Sequence, residues 1–101
     1  MAYGFLIHGD DDHVGVAVRD LTAGETVTGL TQRSRREVTV TVRDTIPLGH
    51  KVALVARAPG EPVLKYHEVI GVATVPIQVG DHVHVHNLES VRWGRKERSA
   101  R

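Results

Sequence analysis

"VTVTV", residues 38–42, places Val38, Val40 and Val42 on one face of an extended chain and Thr39 and Thr41 on the other. A period of two with apolar residues on one side is the pattern of a half-buried β-strand. The same style runs outward in both directions. Towards the N-terminus, "ETVTGL" (25–30) continues it, "VGVAVRDL" (14–21) alternates Val14, Val16 and Val18 with small or polar residues, and "YGFLIHG" (3–9) opens on a short apolar run. Towards the C-terminus follow "KVALVA" (51–56), "PVLKY" (62–66), "VIGVATV" (69–75) and "HVHVHNL" (82–88). The polar stretch "TQRSRRE" (31–37) reads as a hairpin loop. No stretch carries a 3.6-residue apolar period over three turns. The expectation is a mostly-β domain of many short strands.

Composition agrees. Valine, isoleucine and threonine make up 29 of the 101 residues, and their branched Cβ atoms favour strands. The aromatic residues are Tyr3, Phe5, Tyr66 and Trp93, so the core must be aliphatic and valine-rich. A chain of this length fills one small domain, residues 1–91, followed by a basic tail, 92–101, read as flexible. The net charge of +1 conceals that division, because the tail carries +4 (five basic residues against Glu97) and residues 1–91 carry −3. A short basic terminus is usually solvated, and no aromatic residues interleave with it, so nucleic acid is not the expected partner. The absence of cysteine excludes disulfides, thiolate zinc sites and cysteine nucleophiles. No apolar run approaches the roughly 18 residues of a membrane span, and no signal-peptide pattern is visible, which makes the cytoplasm the expected address.

One corner recurs. "AGETV" (23–27), "PGEPV" (59–63) and "VGDHV" (79–83) each set glycine, an acidic residue, any residue and valine in order. Glycine accepts a positive φ there, the acid can accept a nearby N–H, and valine begins the next strand. Spacings of 36 and 20 residues argue against a solenoid.

Three places carry candidate chemistry. As a strand, "HVHVHNL" would point His82, His84 and His86 to one face, roughly 6.5–7 Å apart, from which imidazoles can lean onto one ion. Two ligands rarely suffice, so a further histidine, carboxylate or substrate oxygen is needed, and His82 can equally be a corner residue. In "IPLGHK" (46–51) the turn presents His50 and Lys51, a pair able to hold a carboxylate or to act as acid and base, or simply to keep a strand end soluble. In "LKYHEVIG" (64–71) Tyr66 offers a hydroxyl donor, or a ring for a small core. The acidic loop Asp10–Asp12, with His8 and His13, could bind a cation, although an acidic loop is usually just solvated.

Taken in order, "DHVGVAVRDLTAGETV", "IPLGHKVAL", "GEPVLKYHEVIGVAT" and "GDHVHVHNL" resemble the small SAF domain of the altronate and galactarate dehydratase family, over residues 5–88. A chain that stops soon after "HNL" is similar to the separate small subunit of the family's sulfo-lyases. The resemblance implies a β-clip fold and a lyase reaction, loss of water or sulfite from a hydroxy-acid, aided by a divalent metal, iron(II) first. Carried over by position, it implies His50 and Lys51 as catalytic groups. Lys51, Tyr66, His84, His86 and Asn87 would contact substrate, and His84 and His86 metal. It also implies a large catalytic dehydratase-like subunit as partner, with this chain inactive alone; homo-oligomers stay open. The alternative is a stand-alone sugar-acid or metal binder. One departure stands out: His67 occupies a place where the family pattern leads one to expect glycine, which matters if the position needs φ > 0.

Overall fold

A computed structural model of the chain describes residues 2–90. The basic tail and Trp93 lie outside the described residues. Nine strands follow one another: β1 (Phe5–Ile7), β2 (Val14–Ala17), β3 (Thr26–Thr31), β4 (Glu37–Thr41), β5 (Lys51–Ala53), β6 (Pro62–Lys65), β7 (Glu68–Ala73), β8 (His82–Val83) and β9 (Leu88–Ser90). No helix occurs among the described residues, as the sequence led us to expect.

The strands form two sheets. A six-stranded sheet has the order β4-β3-β1-β2-β5-β8, and a three-stranded sheet the order β6-β7-β9. All pairings are antiparallel except β1 with β3. The valine–threonine alternation that opened the reading sits in β4, against β3. Val40 and Val42 are buried, and on the outer face Thr39 and Thr41 form hydroxyl pairs with Thr28 and Thr26 at 3.0 and 3.2 Å.

The core is aliphatic apart from Phe5 and falls into two clusters. One joins Phe5, Ile7, Leu21, Val27, Val40, Val42, Ile46 and Val52, with Ala17, between the strands of the large sheet. The other joins Val14, Val63, Ile77 and Val83 with Ala53 and Ala73, tying β2, β5 and β8 to the small sheet. Each buried valine, leucine, isoleucine or phenylalanine among them contributes about 1.5–3 kcal/mol. Val14, Ala53 and Val83 thereby position β8, and with it the histidine segment.

Two expectations need correction. The period of two in "VGVAV" does not continue past Ala17, and Val18 is exposed because the chain turns there into a corner. More consequential for the site, residues 82–88 are not one strand. Pairing with β5 ends at Val83, residues 84–87 form a turn, and the chain re-enters a strand at Leu88, in the other sheet. His82, His84 and His86 therefore do not alternate along one flat face.

Candidate functional site

Four corners, not three, build the frame. At Gly24, Gly49, Gly60 and Gly80 the chain takes φ of 91°, 87°, 88° and 93°. Each of these glycines donates its N–H to a neighbouring strand, at Val42, Ala17, Ala73 and Ala53 respectively, with N···O distances of 2.7–2.8 Å. The next residue in turn accepts an N–H from that same partner residue, so each corner is a two-bond clip. The corners pair off: Leu21 and Ile46 exchange both backbone hydrogen bonds, and so do Arg57 and Ile77.

In three corners the residue after glycine is acidic and reaches back three residues to accept an N–H. Thr22 donates to Glu25, Ala58 to Glu61 and Gln78 to Asp81, at 3.0, 2.7 and 2.8 Å. In the remaining corner that donor position is Pro47, which has no N–H. An acid at position 50 would have nothing to accept there, and histidine occupies it. The neighbouring amide of Leu48 is instead satisfied by Asp20 at 2.8 Å. Released from a capping role, the His50 side chain turns to the histidines of the C-terminal segment.

Those histidines converge through β8 and the turn after it. Lys51 and Val52 pair with Val83 and His82, which sets His82 beside His50. His50 Nδ1 and His82 Nε2 lie 2.9 Å apart, one ring donating to the other. The His50 ring stacks on His84 with centroids 4.2 Å apart, and the His82 ring lies 5.5 Å from His84 and 5.2 Å from His86. The turn is closed by Asn87, which is only 4% exposed: its Oδ1 accepts the His84 N–H at 3.0 Å and its Nδ2 donates to the His82 carbonyl at 2.8 Å. This is the corner geometry again, a side chain reaching back three residues.

His50, His82 and His84 offer ring nitrogens that all lie within 4.8 Å of one another, a grouping able to hold one metal ion. An ion held there would take the place of the proton now shared between His50 and His82, whose nitrogens are 2.9 Å apart. The electrostatics suit this. Partial burial pushes the His82 imidazole below its usual pKa, helped by repulsion from His86, His50 and His84 and opposed by Asp44. His84 is lowered by burial and by His50, Lys51 and His86. Neutral imidazoles are the form that ligates metals. Lys51, half-buried, is lowered by burial and then by Lys65.

Of the residues singled out in the sequence, His50, His84 and His86 come together around His82, and Lys51 lies within electrostatic reach of His84. Asn87 lies beneath them, holding the turn. Tyr66 stands apart, at the tip of the β6–β7 hairpin, with its ring edge-on to His8 at 5.6 Å. Tyr66 and His67 have φ of 55° and 67°, the two left-handed residues of a two-residue hairpin, so the histidine does occupy a position that suits glycine. The tip is tied to the β1–β2 turn by Asp12, whose two oxygens accept the N–H groups of Gly9 and Tyr66. The sequence reading left His82 undecided and saw the turn at 46–51 without relating it to the three Gly-acid corners, although "GHKV" keeps their Gly-x-x-Val spacing.

Comparison with known proteins places this architecture. Residues 3–91 match the family described as the altronate/galactarate dehydratase SAF domain. The chain is 42% identical over 94 residues, 92% of its own length and all of the relative's, to (2R)-sulfolactate sulfo-lyase subunit alpha of Chromohalobacter salexigens. It is 50% identical over 54 residues, 54% of its length and 81% of the relative's, to the protein of the same name from Paracoccus pantotrophus. The altronate dehydratase of Escherichia coli is 43% identical over 79 residues, 78% of this chain but 15% of that much longer protein. With the match spanning nearly every described residue, the chain belongs to the altronate/galactarate dehydratase SAF domain family.

Proposed function

We propose that the chain is the small subunit of a two-component, metal-dependent lyase that removes water or sulfite from a hydroxy-acid. The observation that carries this reading is the convergence of His50, His82 and His84 from two separate segments, in a chain whose full-length relative is named as a subunit of a sulfo-lyase. Family membership supports the lyase class, and the word "subunit" in the relatives' names supports a partner.

His50, His82 and His84 would hold the ion. Bound there, a divalent metal would polarise the substrate's carboxylate and neighbouring hydroxyl, stabilising negative charge as a carbon-bound proton leaves. An imidazole-rich set suits transition ions, and iron(II), which the family resemblance implies, is the first to test. Lys51, whose lowered pKa reflects burial, would pair its ammonium with the substrate carboxylate as a charge-assisted bond. His86, exposed and one ring away from His82, would hold or move a proton on the solvent side. Asn87 fixes the distance between His82 and His84. The base that takes the carbon-bound proton would come from the large subunit, because the three converging imidazoles would be committed to the ion and the carboxylate beside them, Asp44, accepts the His82 N–H at 3.1 Å.

The test is reconstitution. The chain is purified alone and together with its large dehydratase-like partner, and release of sulfite from (2R)-sulfolactate and of water from altronate is followed. Turnover is expected only in the complex, and His82→Ala with His84→Ala should abolish it. Unchanged turnover in that variant would remove the histidines from the reaction. Saturable acid binding by a chain that recruits no partner would instead favour a stand-alone binding module.

A further inference from the structure

A cleft that shares no residue with the His50–His82–His84 cluster lies between the end of β1, the β3–β4 turn and the β6–β7 hairpin. It is open, about 500 Å³ in volume, and lined by His8, Gln32, Arg33, Lys65 and Tyr66. Pockets for small ligands fall in this size range. Every lining side chain can donate a hydrogen bond, two are permanent cations at neutral pH, and none is a carboxylate. Neither Arg33 nor Lys65 belongs to any of the ion pairs found among the described residues. Glu68 stands opposite Lys65 in the hairpin register without closing a salt bridge. The nearest buried carboxylate, Asp12, has each oxygen committed to a backbone N–H, at Gly9 and Tyr66.

The second observation is the hairpin itself. Two consecutive non-glycine residues, Tyr66 and His67, hold left-handed conformations. A two-residue hairpin needs left-handed φ at both central residues, which glycine or asparagine would adopt at less cost than tyrosine and histidine. Here the Asp12 bond to the Tyr66 N–H, at 2.7 Å, and the His8 ring against the Tyr66 ring hold the tip. Yet Tyr66 itself remains 63% exposed. A strained, anchored and exposed tyrosine beside two unpaired cations is a poor way to stabilise a fold and a serviceable way to receive an anion.

We propose that this cleft is an anion-binding site, taking the carboxylate or sulfonate end of a small organic acid on Arg33, Lys65 and the Tyr66 hydroxyl. The choice of a hydroxy-acid as its natural ligand rests on the function proposed above; the anion site itself does not.

The test uses the whole chain, metal-free in chelator, without any partner. Malate and sulfoacetate are titrated into isotope-labelled protein and backbone amide shifts are followed by NMR, against sodium chloride at matched ionic strength. Saturable shifts are expected at Gln32, Arg33 and residues 65–67. They should weaken about a hundredfold or more in Arg33→Ala/Lys65→Ala, the cost of losing two charge-assisted bonds, and persist in His84→Ala/His86→Ala. Arg33→Gln, which keeps length and polarity, should weaken binding without altering spectral dispersion. Shifts no larger than those from chloride, unchanged affinity in both arginine variants, or shifts confined to residues 82–87 would overturn the cleft assignment. A complex without lyase turnover whose small chain still shows these shifts would sink the proposed function and leave the anion site standing.

Discussion

Replacing Asn87 by alanine separates two roles the residue could have, holding the turn or touching substrate. Its side chain is 4% exposed and bridges the turn, accepting from the His84 N–H at 3.0 Å and donating to the His82 carbonyl at 2.8 Å. Truncation removes both bonds. Each is worth about 1 kcal/mol net, and each partner left buried and unpaired adds a desolvation cost of about 1–3 kcal/mol. The turn borders solvent at Val85 and His86, so water can repair part of the loss. A total near 2 kcal/mol follows, which lowers the melting temperature of a domain this size by about 10 °C. The expected loss of metal affinity is about tenfold or more, as when residues that orient metal ligands are removed. Asn87→Asp should not rescue it, because it keeps the acceptor but sets a carboxylate oxygen against the His82 carbonyl. Thermal melts by circular dichroism, with metal titration on the same samples, read both effects. A variant that melts within 2 °C of wild type, as a surface substitution does, yet loses turnover in the complex would refute the turn-holding role and make Asn87 a substrate contact.

Three further outcomes follow from the same geometry. His67→Gly should stabilise the chain by about 0.5–1 kcal/mol, read as a rise in the urea midpoint, because relief of a left-handed φ of 67° exceeds the added entropy of glycine in the unfolded state. Gly24→Ala and Gly80→Ala share a φ near 90°, but a Cβ at Gly24 meets open space while one at Gly80 collides with the Thr41 carbonyl oxygen. Gly24→Ala should therefore cost about 1 kcal/mol and Gly80→Ala about 3 kcal/mol or more, compared by chemical denaturation. On acidification, His13, His82 and His84, all lowered in the fold, must take up protons less readily than in the unfolded chain. The unfolded state then binds more protons, so stability is full above the ordinary histidine pKa of about 6.5 and falls as pH drops below it. Urea midpoints between pH 7.5 and 5 should show this slope, and His82→Gln should flatten it.

Much of the frame was legible because local chemistry and tertiary placement agree. "VTVTV" became β4 with its valines inward, and the Gly-acid corners turned where glycine had to take a positive φ and the acid had an N–H to cap. The turn at 46–51 was legible, but its kinship with the other three corners was not, because its capping acid is absent, and the reason is covalent: Pro47 supplies no N–H, so selection for an acid at position 50 has no physical basis. "HVHVHNL" misled for a related reason. Alternation of histidine and valine satisfies the strand pattern, but Asn87 reaches back three residues to the His84 N–H and folds the segment after Val83, and nothing in a period-two count weighs that bond. His82 was left undecided since its place beside His50 depends on β5–β8 register, a contact between residues 32 apart in sequence. His67 was legible in the opposite sense, as a residue out of keeping with its position, and the hairpin confirms the conformation that made it so.

The measurement that bears most directly on the histidine cluster is a cobalt(II) titration of the intact chain, followed by visible absorption and calorimetry, for wild type, His50→Ala, His82→Ala, His84→Ala and His86→Ala. The account predicts one site, with affinity falling at least about tenfold on loss of His50, His82 or His84 and little on loss of His86. Absence of stoichiometric binding, or a dependence on His86 with indifference to His50 and His82, would contradict it.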